Sequence, residues 1–117
     1  MSFISYADSA KAIAKVATTP QLRENGQIYT LTQTQALDMN TLGRLMTTVT
    51  GHKIGYQPVS VTGFAEIYAA EGDGVELASM YRAGGMGLFN IVTNDFATIT
   101  GQQPTDMLTF LKQHYQA

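Results

Sequence analysis

The sequence predicts an α+β domain, mainly helical, with a small sheet of two strands or slightly more. Three observations carry this reading. About six segments place apolar residues at helical spacing. Two short segments are instead rich in β-branched and aromatic residues. The length, 117 residues, allows one modest core. No internal repeat, charge block or low-complexity stretch divides the chain, so residues 1–117 are read as a single domain.

Phe3 and Ile4 make a short apolar start to a first helix over residues 6–17. Ser5 and Asp8 have the spacing of a capping box, in which a hydroxyl accepts from an orphan amide and an acidic side chain reaches back. Ala10, Ile13, Ala14 and Ala17 recur at i, i+3, i+4 and i+7 as an apolar stripe, and Pro20 closes the region. After the Glu24-Asn25-Gly26 turn, residues 27–32 read as a strand. Asp38 is placed to cap a helix bearing Leu42, Leu45, Met46 and Val49, with Gly51 as its left-handed C-cap. Residues 53–59 read as a second strand, which Pro58 makes an edge or brings to its end.

Ser60 is expected to cap a third helix through residue 70, carrying Phe64, Ile67 and Tyr68, before the Glu71-Gly72-Asp73-Gly74 loop breaks it. A fourth helix over residues 75–83 presents Leu77, Met80 and Tyr81. Three glycines in Gly84-Gly85-Met86-Gly87 cost too much backbone entropy for a regular element, so an irregular loop is expected there. Thr93 opens a short helix with Phe96 and Ile99, stopped by Gly101. Thr105 is read as the cap of a last helix with Met107, Leu108, Phe110 and Leu111.

Composition removes several function classes. Net charge is -2 and the seven basic residues are scattered, whereas nucleic-acid binding needs clustered Lys and Arg. Without cysteine there is no disulfide, thiol chemistry or thiolate zinc site, which fits a reducing compartment, and a cytoplasmic location is the expectation. No apolar run approaches the roughly 20 residues that span a bilayer, so no membrane partner is expected.

Motifs for chemistry are equally sparse. The glycine run matches neither GxGxxG nor a Walker pattern. His52 and His114 stand far apart with no ligand spacing, so no metal site is expected. No tyrosine is followed four places on by lysine, as a short-chain-dehydrogenase dyad would require, and no catalytic or cofactor-binding residue is assigned. An apolar and aromatic set remains: Phe64, Tyr68, Met80, Tyr81, Met86, Leu88 and Phe89. Helical spacing reads these as core. Ligand sites are also apolar with a few polar handles, and on that reading Phe64, Tyr68, Tyr81, Met86 and Phe89 wall a pocket for a small, flat, hydrophobic ligand.

The order of segments adds a resemblance. Asp8-Ser9-Ala10 opens a helix, Tyr29-Thr30-Leu31-Thr32 follows as a strand, Thr50-Gly51 precedes Tyr56 to Val59, and Thr100-Gly101-Gln102-Gln103-Pro104 leads into the last helix. Taken in this order, the chain resembles the C-terminal, substrate-binding portion of NmrA-like atypical short-chain dehydrogenases, particularly the NAD(P)H:quinone oxidoreductase branch. The resemblance implies a subdomain that leans on a Rossmann domain, with a quinone or another flat acceptor reduced between the two. It also implies NAD(P)H for a full-length parent. The family's glycine fingerprint and most of its parallel sheet are missing from these residues, so the chain alone is expected to hold no cofactor and not to be an enzyme. The alternative is a stand-alone regulatory or interaction module. In either case the first-helix face is expected to meet a Rossmann domain or a second copy of the chain, because contiguous apolar surface is rarely left bare.

Overall fold

Ser5 Oγ accepts from the Asp8 amide at 3.1 Å and starts α1, Tyr6–Thr18. In the computed structural model, which describes residues 1–115, the other half of the expected capping box is spent elsewhere. The Asp8 carboxylate accepts instead from the Thr105 amide at 2.7 Å, joining α1 to the segment before the last helix. Pro20 does not simply close α1. It occupies the first position of a one-turn helix, α2, Pro20–Arg23, where its missing N–H costs nothing.

The next helix has the expected ends. Asp38 Oδ1 accepts from the Thr41 amide at 2.6 Å to open α3, Met39–Thr50, and Gly51 closes it at φ 72°. Gly43, buried on α3, lets the helix approach the backbone of Ile54; a Cβ there would stand 3.1 Å from the Ile54 carbonyl oxygen. Ser60 caps α4, Val61–Ile67, which gives way to a single 3-10 turn, Ala69–Glu71, rather than running on to residue 70. Helix α5, Gly74–Gly85, is longer than expected and takes Gly84 and Gly85 into its last turn, so only Met86 and Gly87 (φ 80°) leave regular geometry. Helices α6, Asp95–Thr100, and α7, Met107–Tyr115, complete the chain. The cap of α7 is Asp106, not Thr105: its carboxylate accepts from the Thr109 amide at 2.9 Å and the Thr109 hydroxyl at 2.7 Å.

The expected sheet is absent: among the described residues there is no strand, and the fold is helical. Residues 27–33 and 53–59 form no ladder, and side chains take some of their backbone bonds. The Thr30 amide donates to Asp95 Oδ2 at 2.7 Å and the Thr93 amide to Thr32 Oγ1 at 3.0 Å, while the Thr93 hydroxyl donates to the Thr30 carbonyl. Likewise the Ile54 amide donates to Thr47 Oγ1 at 2.9 Å. Isolated backbone bonds then tie the extended pieces together, Ser2 to Phe89, Gln33 to Phe3 and Leu37 to Met1, without two consecutive rungs.

Three helical groups result. Helix α1 packs on α2 and α6, α3 on α7, and α4 on α5 and the 3-10 turn. Ala12, Phe96 and Ile99 are the buried centre of the first group, with Ile4, Val16, Leu22, Tyr29 and Leu31 packed around them. The α4–α5 hairpin makes its extensive helix contacts within itself and is tethered by residues 55–60 and 86–92. The Cα radius of gyration, 16.6 Å, against about 13 Å for a compact domain of this size, shows an elongated molecule. No described helix is long and apolar enough to cross a membrane.

The stripe of α1 faces outward. Ala12 and Val16 meet α6, whereas Ala10, Ile13, Ala14 and Ala17 are exposed; Tyr6 is 96% and Ile13 64% exposed, and Ile28 nearby in sequence to α2 is 92% exposed.

The two aspartate caps make acid stability testable. Backbone hydrogen bonds from Thr41 and Thr109 hold the Asp38 and Asp106 carboxyls below the usual carboxylate range. A depressed folded-state pKa contributes stability that is complete above the unfolded value, about 3.9, and is lost as pH falls through the folded value. In thermal denaturation from pH 7 down to pH 2, the double variant Asp38→Asn, Asp106→Asn is expected to lose less melting temperature than the parent below about pH 4. Parallel curves would contradict the assignment.

Candidate functional site

The hairpin and the chain entering α3 face each other across a cleft of about 940 Å³. That volume lies within the range of small-molecule sites, about 300–1,000 Å³. One wall is residues 36–40, which run into α3, together with Met1. Another is the extended segment 55–60 with the start of α4. Helix α5 supplies the third through Ala78, Tyr81, Arg82 and Gly85, an i, i+3, i+4, i+7 set that shares one helical face.

Aromatic packing holds this wall. Phe64 stacks on Tyr68 with ring centroids 4.7 Å apart and meets Tyr81 at 5.1 Å and 45°, distances at which ring pairs attract. Val61, Phe64 and Tyr68 follow one another at i, i+3 and i+7, so α4 turns the same face to the cleft throughout. Besides the charged Asp38 and Arg82 and the tyrosine hydroxyls, the polar side chains on the lining are Asn40, Gln57, Ser60 and Asn90. Ser60 Oγ already accepts from the Gly63 amide at 3.0 Å, and Asn90 Oδ1 accepts from the Met1 nitrogen at 3.0 Å. Asp38 also lines the cleft, but its Oδ1 is engaged in capping α3.

Of the five residues expected to wall a pocket, the structure brings three together, Phe64, Tyr68 and Tyr81. Met86 and Phe89 do not line the cleft; they are 67% and 40% exposed on the tether beyond α5. The cause is the glycine run. With Gly84 and Gly85 helical, α5 extends by about half a turn and residues 86–89 follow it outside the cleft lining. Sequence reasoning missed Tyr56, Arg82 and the 36–40 segment. Arg82 carried a usable signal, its i+4 spacing from Ala78, whereas the loop residues are brought in by tertiary structure alone.

The Gly84-Gly85-Met86-Gly87 run does not form a pyrophosphate cradle. A pyrophosphate is cradled by free amides at a helix N-terminus. Gly84 and Gly85 stand instead at the C-terminal end of α5, where carbonyls are unpaired and the helix dipole is negative. No group of three or more His, Cys, Asp or Glu stands together among the described residues to hold a metal.

No family model and no curated protein matches the chain. Solved structures do. Over 96% of its length the chain is similar to a nucleoside-diphosphate-sugar epimerase from Staphylococcus aureus, at 34% identity and TM-score 0.89, covering 39% of that chain. It is also similar to the Citrobacter sp. triphenylmethane reductase complexed with NADP(H), at 22% identity and TM-score 0.86 over 97% of its own length and 40% of the reductase. A second structure of that reductase gives TM-score 0.85. The chain therefore shares the fold of the matched portion of these structures. The chain spans about two fifths of the length of the structures it matches.

Proposed function

We propose that the chain is the substrate-side domain of an NmrA-like, NAD(P)H-dependent oxidoreductase, with quinones as the acceptor class. The observation that carries the reading is the cleft of about 940 Å³ walled by Phe64, Tyr68 and Tyr81. A flat acceptor suits it, because stacked aromatic side chains offer broad apolar faces and the remaining polar groups at the rim fix orientation. NAD(P)H, carried by a nucleotide-binding layer, supplies the hydride. This chain's residues bind and orient the acceptor and exclude water from it: Phe64 and Tyr68 present ring area, and Tyr81, 40% exposed, offers a hydroxyl at the cleft. None of its residues is assigned a catalytic role. Met86 and Phe89, on the tether, would meet the ligand only if the hairpin closes on it.

Under this proposal the outward face of α1, with Tyr6 and Ile13, is the seat of the nucleotide-binding layer. The same exposed face favours a second reading, a stand-alone interaction module that pairs with another copy of the chain. A cytoplasmic location belongs to the same proposal.

Calorimetry on the 117-residue chain separates the readings. Uptake of 1,4-naphthoquinone with quenching of tyrosine fluorescence, about tenfold weaker in Phe64→Ala, is expected, since losing a buried ring contact costs on the order of 1–1.5 kcal/mol. No uptake of NADPH is expected. Stoichiometric, tight NADPH binding without quinone binding would overturn the assignment.

A further inference from the structure

Arg82 is left unused by the cleft as described so far. It lies in the last turn of α5, on the face that Ala78, Tyr81 and Gly85 turn to the cleft. The positions from which a helix normally supplies a carboxylate, three and four residues away, hold Ala78, Ser79, Gly85 and Met86, none of them acidic. The ion pair found among the described residues joins Arg23 to Glu24, away from the cleft, and Arg82 donates no side-chain hydrogen bond among them. Asp38, the acidic side chain on the lining, already accepts from the Thr41 amide. The cleft thus combines an aromatic wall with a guanidinium that has no partner among the described residues.

From this we infer that Arg82 is a specificity-determining residue that selects flat aromatic ligands bearing an anionic substituent, a carboxylate or sulfonate, over their neutral counterparts. The inference rests on the cleft being the ligand site. A guanidinium meets a carboxylate or sulfonate through two parallel N–H donors, which adds orientation as well as attraction, and the ring of the same ligand lies against the neighbouring aromatic side chains. A purely structural reading is available, because a cation in the last turn of a helix is favoured by the helix dipole. The two differ in what they predict: dipole stabilisation changes the melting temperature of an Arg82 variant and leaves ligand preference alone.

The test compares 1,4-naphthoquinone-2-sulfonate with 1,4-naphthoquinone by calorimetry on wild-type chain, Arg82→Gln and Arg82→Lys, with circular dichroism to verify helix content. Wild type is expected to bind the sulfonate about tenfold more tightly, a preference reduced by raised salt. Arg82→Gln is expected to bind both probes equally and to keep its affinity for the neutral one, with Arg82→Lys in between because it retains the charge but loses the fork. Equal binding of the two probes by wild type, or a preference that survives in Arg82→Gln, overturns the role of Arg82 and leaves the cleft reading standing. Failure of wild type to bind either probe overturns both.

Discussion

Replacing Gly74 with alanine is expected to lower stability by about 3 kcal/mol, since overpacking typically costs 1–3 kcal/mol and the obstruction here is rigid. Gly74 is the buried first residue of α5, and a Cβ there would stand 2.2 Å from the Ala65 carbonyl oxygen, with the Ala65 carbonyl carbon and the Ala69 nitrogen at 3.1 Å. All three are backbone atoms, so no rotamer change relieves the clash, and the start of α5 must move away from α4. That motion matters for the cleft because Phe64 and Tyr68 ride on α4 while Tyr81 rides on α5. The hairpin also makes its main helix contacts internally, so the damage should stay local. Hydrogen exchange is expected to accelerate in residues 61–85 while the amides of α1 and α6 keep their protection. Naphthoquinone binding should be lost together with hairpin protection. Gly85→Ala is the control: its Cβ would meet nothing within 4 Å, and its φ is not positive, so it should be neutral or slightly stabilising. Equal behaviour of the two variants would show that the α4–α5 approach does not set the geometry of the cleft.

Helix termini were the most legible part of this chain, because they depend on residues three or four apart. Asp38 and Gly51 bracket α3 as their types predict, Ser60 opens α4 and Gly101 closes α6, whereas α6 starts at Asp95 rather than Thr93 and Asp106 rather than Thr105 caps α7. The strands were misread for a reason of the same kind. Residues 27–32 and 53–59 have strand composition, but composition does not reveal whether a neighbouring segment pairs with them, and here side chains of Asp95 and Thr47 meet the Thr30 and Ile54 amides instead. At the cleft, helical spacing exposed the three aromatic residues that share a surface, Phe64, Tyr68 and Tyr81. It could not expose segment 36–40, which has no periodicity of its own, and the entropy penalty assigned to Gly84 and Gly85 wrongly ended α5 before them. At Gly84 α5 passes close to Met1, whose thioether sulfur would lie 2.8 Å from a Cβ at that position.

Phe96→Ala should have the opposite signature to the hairpin variant, global rather than local. Phe96 is the largest fully buried side chain among the described residues, 1% exposed, on a six-residue helix held against α1 by Ala12 and Val16. Truncating a buried phenylalanine costs about 3–5 kcal/mol, a large share of the 5–15 kcal/mol that stabilises a typical domain. A helix as short as α6 has little intrinsic stability with which to survive that loss. Its neighbour Asp95 accepts the Thr30 amide at 2.7 Å, so loosening α6 also frees residues 28–33, and with them the Gln33 to Phe3 link. Urea unfolding is expected to shift to a much lower midpoint with the slope retained, and ligand binding to fall only as the folded fraction falls. Sulfate or an osmolyte, which favours burial by exclusion from the surface, should then restore naphthoquinone binding to Phe96→Ala. The same additive should not restore it to Phe64→Ala, where the ligand's own contact has been removed. Rescue of both variants, or of neither, would mean that the core around Phe96 and the aromatic wall of the cleft are not the separate units the packing describes.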